Sequence, residues 1–348
     1  MLTGSEIERF QTNLLAWYGR HRRDLPWRRT SDPYAVWISE IMLQQTRVAA
    51  AIPYYERFLE RFPDVAALAC APEPELLSCW AGLGYYHRAR NLQKAARRIA
   101  EDGVFPASHE EIRKLPGIGD YTAAAVASIA FGLPHAAVDG NVLRVLSRVF
   151  NDATDIASQS GRKRFATLAS TLLARSASGD FNQAMMELGA TICLPKDPQC
   201  LLCPVADLCR VRAAGGRPAD LPVKLAVRKS VRETRRLLWI ECDGGLLVWQ
   251  RPAGAALMPG FWELPEAGQI DSSAGVKLGS FRHAITFHRY LFEVFEGSAP
   301  SGGECRWLSW TELDQVPTST VFKKAWRAVA RHGVKAERAS RFAATLGS

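Results

Sequence analysis

Four cysteines fall within the seventeen residues from 193 to 209, CLPKDPQCLLCPVADLC. Spacers of six, two and five residues separate them, and three prolines favour loops between them. Thiolates bind soft metal centres, so the cluster predicts a metal site. The compact spacing favours a cubane iron–sulfur cluster modestly over zinc, which more often uses two Cys-x2-Cys pairs across a long spacer. The candidate ligands are Cys193, Cys200, Cys203 and Cys209.

Two carboxylates offer a second kind of chemistry. Glu40 lies among apolar residues in WISEIML, either on the solvent face of a helix or in an apolar pocket that would raise its pKa. Asp139 directly precedes a helical pattern, where backbone amides and the helix dipole stabilise an anion. A neutral acid and a persistent anion are what cleavage of an N-glycosidic bond requires. A surface glutamate and a simple helix cap are the alternatives.

A glycine-containing turn lies between two helical patterns in LPGIG, at residues 115–119. Glycine lets the backbone approach a ligand closely, and the amides at the start of the next helix favour an anion. The turn therefore predicts an anion site, which would suit a DNA phosphate without sequence preference. The turn alone is weak evidence for DNA, and the prediction depends on the downstream aspartate and cysteine loop as well. A plain helix–helix turn is the alternative. The candidate phosphate contacts are Leu115, Gly117 and Gly119.

The length and charge of the chain limit its class. Its 348 residues are too many for one typical domain and sufficient for two. The net charge of +9 would attract a polyanion, although charge alone fits any basic protein. The first twenty residues lack the features of a signal peptide, and the sequence has no run of about 18 apolar residues. We expect a cytoplasmic, nucleoid-associated monomer that does not bind membranes.

The elements that must position these residues change character along the chain. Helical periodicity predicts a helical domain over 1–212, in which Ser31 and Asp32 can cap a helix that starts near Pro33. A Gly-, Pro- and Arg-rich segment predicts a linker over 213–233, and strand patterns predict an α/β domain over 234–348. RRLLWIECDGGLLVWQRP reads as a hairpin, and FRHAITFHRYLFEVFEG as one long strand. Further helices are expected near 73–80, 85–101, 108–114, 121–131, 140–149, 161–175, 181–192 and 319–331.

The order of these motifs carries a resemblance. The cysteine spacing is similar to the [4Fe–4S] loop of the endonuclease III superfamily of DNA glycosylases, which place it after a helix-hairpin-helix motif and an aspartate. Here the same order holds, with the helix-hairpin-helix at 108–131, the aspartate at 139 and the loop at 193–209. WISEIMLQQT at 37–46 and GLGYYHRARNL at 82–92 narrow the resemblance to the MutY adenine glycosylase family. It runs from about Leu14 to Cys209, and a MutY-like C-terminal domain extends it further.

This resemblance implies a multi-domain α plus α/β fold, namely an all-α helix-hairpin-helix glycosylase domain with a [4Fe–4S] loop and then a Nudix-like α/β domain. It also implies the catalytic roles. Glu40 would protonate adenine, and Asp139 would stabilise the cationic sugar. Asn141 and Tyr121 would help to position the sugar and the carboxylates. The residues implied in base binding and duplex wedging are Arg23, Trp27, Arg28, Leu43, Gln45, Tyr85 and Gln183.

Residue 121 separates two chemistries within this resemblance. Enzymes similar to endonuclease III carry a lysine there, which forms a Schiff base with the sugar and cuts the strand. This chain has Tyr121, so we expect a monofunctional glycosylase that uses water. The alternatives are an endonuclease III-like glycosylase/lyase for oxidised pyrimidines and a non-enzymatic iron–sulfur DNA-binding protein.

The second domain resembles a Nudix fold at GLLVWQRPAGAALMPGFWELPEAG, but the following residues 266–280 lack the glutamate-rich helix that holds metal. We therefore expect no pyrophosphatase activity. The resemblance implies that this domain recognises 8-oxoguanine opposite adenine, in double-stranded DNA with an 8-oxoguanine:adenine or guanine:adenine mispair. Where the family often has Phe-Ser-His, this chain has HAITFHRY. The candidate contacts are His283, Thr286 and His288.

Overall fold

A computed structural model describes residues 2–225, 230–242, 244–252, 254–255, 258–285, 287–300 and 304–330. The described residues form two compact units. One takes the chain up to Cys70 and from Asn91 to Leu225, and the other takes Ala71–Arg90 and the described residues from Ser230 onward. The sequence-based boundaries at 212, 213–233 and 234 stay a prediction. Helix and strand bounds nevertheless overlap the ends of the proposed linker, at Ala213 and Val231.

Helices make up the ordered structure up to residue 213. Asp32 caps the second helix by accepting a hydrogen bond from Ala35 N–H, and Pro33 is its first residue, as the sequence predicts. The chain then leaves the helical path at residues 44–47. The helices are α1 (Gly4–His21), α2 (Pro33–Leu43), α3 (Val48–Arg61), α4 (Val65–Cys70), α5 (Glu73–Trp80), α6 (His87–Asp102), α7 (His109–Arg113), α8 (Asp120–Phe131), α9 (Gly140–Val149), α10 (Gln159–Leu172), α11 (Ser178–Thr191) and α12 (Arg210–Ala213).

The core of this helical unit is built by α1, α9, α10 and α11, whose apolar faces meet around Phe10, Leu14, Phe165 and Phe181. Helix α8 is rich in alanine and is buried on nearly all sides from Thr122 to Ser128. Small side chains let neighbouring backbones approach closely, so a helix of this composition can lie inside a helical domain. The buried helices α2 and α8 carry Glu40 and Tyr121, whereas Asp139 precedes the first residue of α9.

The second unit is built mainly from two small sheets. In one, the order is β1-β6-β5, with β1 parallel to β6 and β5 antiparallel to it. In the other, β3 pairs with β2, β4 and β7, all antiparallel. Helices α13 (Trp310–Gln315) and α14 (Thr320–Ala330) follow the strands. The strands are β1 (Val231–Trp239), β2 (Glu241–Cys242), β3 (Gly245–Gln250), β4 (Trp262–Glu263), β5 (Ala274–Ile285), β6 (His288–Gly297) and β7 (Cys305–Ser309).

One strand prediction is wrong in a way that matters for the site. FRHAITFHRYLFEVFEG is not one strand, because β5 ends at Ile285 and β6 begins at His288, and these two residues are partners across the hairpin. The turn contains neither glycine nor asparagine, so the usual hairpin signal is missing from the sequence. The expected helix near 319–331 is present as α14, and the expected hairpin around residue 244 is present as β2 and β3.

Among the described residues, none of the helices has the length and apolar character that crossing a lipid bilayer requires.

Candidate active site

Glu40 is the central residue of the site. It lies near the end of α2 with 5% of its surface exposed, and the Tyr121 hydroxyl donates a hydrogen bond to Glu40 Oε2 at 2.6 Å. Burial raises the pKa of Glu40 to about 7, against the hydrogen bond from Tyr121, which lowers it. The nearby Asp139 raises this pKa further. Of the two environments that the sequence left open, the structure has the apolar pocket.

Asp139 is the N-cap of α9. Its Oδ1 accepts a hydrogen bond from Val142 N–H at 2.8 Å, and its Oδ2 accepts one from Asn141 Nδ2 at 2.7 Å. The structure departs from the sequence expectation here, because burial raises the pKa of Asp139 above its ordinary value. The two hydrogen bonds lower that pKa and so oppose the burial. Asp139 is thus a half-buried cap whose desolvation opposes ionisation, whereas the sequence indicated a persistent anion.

Tyr121 connects Glu40 to the opposite wall of the site. It lies in the first turn of α8, and its hydroxyl oxygen is 3.2 Å from the sulfur of Met186 on α11. Burial and the neighbouring Glu40 raise the pKa of Tyr121 well above its ordinary value. The phenol therefore stays neutral and acts as a donor towards the glutamate.

Glu187, which the sequence analysis missed, organises the basic residues near the site. It is 1% exposed, and it accepts hydrogen bonds from Arg23 Nε at 2.8 Å and from Arg28 Nη2 at 2.9 Å. These hydrogen bonds and charges hold the pKa of Glu187 at about 2, against the effect of burial. Glu187 lies four residues after Gln183 on α11, a spacing that puts both on one helix face and could have revealed it.

Arg144 is a second residue that the sequence analysis missed. Its Nη2 donates to Asn141 Oδ1 at 2.8 Å and to Gly189 O at 2.7 Å, while its Nε donates to Cys193 O at 2.8 Å. Asn141 in turn holds Asp139. One guanidinium therefore links the helix cap to the first cysteine of the cluster. Arg144 follows Asn141 by three residues on α9, which is one helical turn.

The other predicted base-pocket residues differ in accessibility. Trp27 is buried, and its ring meets Tyr55 edge to face with centroids 5.4 Å apart, so it contributes to the core. Arg28 is close enough to Glu40 to lower the pKa of Glu40. The Arg28 guanidinium nevertheless donates its hydrogen bonds to Glu187 and to Arg23 O. The partly buried candidates are Leu43 at the end of α2 and Gln183 on α11.

The two predicted wedge residues share an unusual backbone. Gln45 has φ 61° and Tyr85 has φ 48°, a left-handed region that residues other than glycine rarely adopt. Both side chains are exposed. Each lies in a different compact unit, and each is carried on a short segment that directly follows or precedes a helix. Strained, exposed positions of this kind occur at ligand-binding sites.

The glycine turn connects α7 to α8. Gly117 has φ 78°, and a Cβ at this position would lie 2.6 Å from Asn91 Cβ, so only glycine fits. Gly119 is the N-cap of α8 and has open space where a side chain would be, which leaves the first amides of α8 accessible. Leu115 is buried and anchors the turn from below. The geometry suits an anion at this helix start.

The four cysteines line one cavity. Cys193, Cys200, Cys203 and Cys209 line one small cavity of about 30 Å³, and all four are free thiols. Burial and the other three sulfurs raise the pKa of Cys203 to about 12, which shows that the four sulfurs lie close together. Among the described residues, no group of three or more potential ligands is arranged around a single metal ion. Four thiols are a donor set that either an iron–sulfur cluster or a zinc ion can use.

The candidate lesion contacts lie at the β5–β6 hairpin. His288 Nδ1 is 2.8 Å from Glu233 Oε1 on β1, and the His288 ring stacks on Tyr290. His283 Nδ1 is 3.2 Å from the ammonium of Lys324 on α14, and burial and this charge lower the pKa of His283. Thr286 lies outside the described residues.

Comparison with known proteins agrees with this geometry. The family model for "HhH-GPD superfamily base excision DNA repair protein" matches residues 38–169, which include both carboxyls. The chain is therefore of the helix-hairpin-helix class of base excision repair proteins. It is 34% identical over 410 residues to the adenine DNA glycosylase of Mus musculus, a match that covers 94% of this chain and 79% of the mouse protein. The chain belongs to the adenine DNA glycosylase family.

Solved structures resemble the helical part. A thermostable thymine-DNA glycosylase aligns with a TM-score of 0.56 and 32% identity, over 60% of this chain and 98% of that one. Endonuclease III in a non-covalent DNA complex aligns with a TM-score of 0.52 and 27% identity, over 62% of this chain and 99% of that one. The helical fold is therefore shared with a thymine-DNA glycosylase and with endonuclease III.

The raised pKa of Glu40 predicts how stability depends on pH. Between the model-compound pKa of 4.5 and about 7, the folded protein keeps a proton that the unfolded chain loses, so the free energy of unfolding falls as pH rises. Glu40→Gln removes the titrating group, so the variant does not lose this part of the free energy of unfolding as pH rises. From about pH 5 to about pH 8 we expect the variant to gain about 2–3 kcal/mol relative to the wild type. Denaturant unfolding measures it, with the exposed Glu101→Gln as the control, and equal pH dependence in both proteins would contradict the raised pKa.

Proposed function

We propose that this protein is an adenine DNA glycosylase of base excision repair that hydrolyses the N-glycosidic bond of adenine mispaired in double-stranded DNA. The observation that carries the proposal is the pair of interacting carboxyls, Glu40 and Asp139, in a member of the adenine DNA glycosylase family. Glu40 keeps its proton to about neutral pH, which a general acid needs. Asp139 lies close enough to change the pKa of Glu40, so both can face one nucleotide.

The chemistry follows from what each side chain can hold or move. The target adenine must leave the base stack before it can reach a buried acid. Glu40 then gives its proton to the departing base, while the sugar develops an oxocarbenium-like charge. Asp139, as the anion, stabilises that charge, and Asn141 fixes the orientation of its carboxylate. Tyr121 holds Glu40 in place through the hydrogen bond to Oε2.

DNA contacts are assigned on the same reasoning. The accessible amides at Gly119 and the start of α8 bind a backbone phosphate, which positions the duplex without reading its sequence. Gln45 and Tyr85 enter the duplex near the mispair, because both are exposed on strained segments. Leu43 and Gln183 face the extruded base. Trp27 supports this pocket from within the core.

The competing reaction is a combined glycosylase and lyase. That chemistry needs an amine that forms a Schiff base with the sugar. Position 121 holds a phenol that is buried, neutral and bonded to Glu40, so it supplies no such nucleophile. We therefore propose a monofunctional enzyme that uses water.

We propose that the four cysteines bind a [4Fe–4S] cluster, because their four thiols line one cavity and follow the spacing of such a loop. The cluster would serve a structural role, holding the loop at 193–209 with Lys196 and Arg210 towards the DNA backbone. Arg148 supports the loop by donating to Cys193 Sγ at 3.2 Å and to Leu194 O at 2.7 Å.

Recognition of 8-oxoguanine opposite the adenine is proposed for the β5–β6 hairpin of a Nudix-like domain. His283 and His288 lie on the two strands next to the turn, where each ring is fixed by a charged neighbour. Thr286, which lies between these two histidines in the sequence, is the third candidate. A hairpin tip with positioned imidazoles offers hydrogen-bond donors and acceptors to a base edge.

Loss of either carboxyl tests the chemical assignment. Glu40→Gln removes the acid and Asp139→Asn removes the anion, so we expect single-turnover adenine release to fall about 10²–10⁴-fold in each, with duplex binding retained. Glu101→Gln and Asp102→Asn, at two exposed positions, are the matched controls.

Reading the assay with and without alkali tests the reaction type, since strand breaks should need alkali. Wild-type rates in either variant, or breaks without alkali, would refute the respective assignment. Duplexes with thymine opposite guanine or an oxidised pyrimidine test the competing substrates.

Metal analysis tests the cluster. We expect about four iron and four sulfide per chain, with Cys203→Ser losing both and the exposed Cys70→Ser keeping both. About one zinc per chain and no iron would instead assign the cysteines to a zinc site.

Comparison of 8-oxoguanine:adenine with guanine:adenine duplexes tests the hairpin. His283→Ala with His288→Ala should lower the ratio of the two single-turnover rates, because the lesion strand would lose its readers. Arg306→Gln on β7 is a control with a charge change in the same unit. An unchanged ratio would remove the hairpin from lesion recognition.

A further inference from the structure

A basic pocket opens between β5 and α14. It is lined by residues 279–282 of the strand and by Lys324, Arg327 and Ala328 of the helix. Helix α14 packs on the face of the three-stranded sheet, because its Phe322 and Trp326 share an apolar core with residues of β1 and β6. The pocket is distinct from the carboxyl site and from the cysteine cavity, because both of those lie in the helical unit.

Gly279 is the reason that helix and strand come so close. A Cβ at this position would lie 3.0 Å from Ala328 O and 3.1 Å from Ala328 Cβ, tighter than ordinary contact. Any other residue would push the helix away from the strand. The close approach brings the cationic side chains of α14 next to β5. Lys324 Nζ on α14 donates a hydrogen bond to Arg282 O on β5 at 3.1 Å.

The pocket lining includes three cationic residues and no carboxylate. Arg282, Lys324 and Arg327 form no ion pair with any described residue. Burial lowers the pKa of His283 and of the half-buried Lys323, and the nearby charges of Lys324 and Arg327 lower these two pKa values further. Cations held together in this way gain stability when an anion enters between them.

We propose that this pocket binds a phosphodiester of the DNA backbone, in the strand that the β5–β6 hairpin faces. The inference rests on the proposed function for the identity of that strand.

The salt dependence of DNA binding measures such a contact. The variant carrying Lys324→Gln and Arg327→Gln should weaken duplex binding and reduce the slope of log Kd against log salt by about 1, the loss of one phosphate contact. Lys277→Gln on the same strand is the matched control, because Lys277 is already paired with Glu293 and should leave the slope unchanged. The measurements use a Glu40→Gln background, so that the duplex stays intact.

Each further outcome decides the proposal. A slope equal to that of the Lys277→Gln control refutes it. Arg327→Gln alone keeps the Lys324–Arg282 hydrogen bond and gives the same test if the double variant unfolds. Titration with inorganic pyrophosphate tests whether the pocket binds a free phosphate compound instead of DNA. If the double variant loses pyrophosphate binding but keeps the wild-type salt slope for DNA, the assignment to DNA is wrong. Adenine release by the wild type is measured separately, so its absence would refute the proposed function while a reduced slope still supports the pocket.

Discussion

The rest of the site depends on keeping a carboxyl group buried without giving it a cationic partner. Arg28 is near enough to lower the pKa of Glu40, yet its hydrogen bonds go to Glu187. Glu187 is held as an anion with a pKa of about 2, and it forms ion pairs with both Arg28 and Arg23. Burial then dominates at Glu40 and its pKa rises to about 7. The ion pairs of Glu187 next to Glu40 therefore let Glu40 keep its proton to about neutral pH.

The second carboxyl is treated differently by the same fold. Asp139 is also desolvated, but it accepts two hydrogen bonds from its own helix start, whereas Glu40 accepts one from a neutral phenol. Backbone and amide donors favour the charged form, so the two groups separate in their tendency to ionise. Arg144 adds to this by holding Asn141 and the carbonyl of Cys193 together. Hydrogen bonds through Arg144 therefore link the start of the cysteine loop to the amide that orients Asp139.

The sequence predicts the helix caps from local signals, but it does not predict contacts between residues that are far apart in the chain. Asp32 and Asp139 act as caps, as their positions before apolar periodicity indicated. The hairpin after Ile285 was missed, because its turn lacks the residues that mark one. Glu187 was missed because its partner Arg23 is 164 residues away, a distance over which spacing carries no information. The burial that raises the pKa of Asp139 likewise depends on packing that no local pattern shows.

Net charge is also a poor guide to where the protein meets a polyanion. Of the cations behind the value of +9, Arg23 and Arg28 share the one carboxylate of Glu187, and Arg144 is directed to internal carbonyl and amide oxygens. These side chains organise the site and contribute little field outside it. Cations that lack such partners, such as Arg282 and Arg327, are those whose charge extends into solvent and can replace counterions on DNA. The distribution of partners, more than the total charge, decides which surface attracts the duplex.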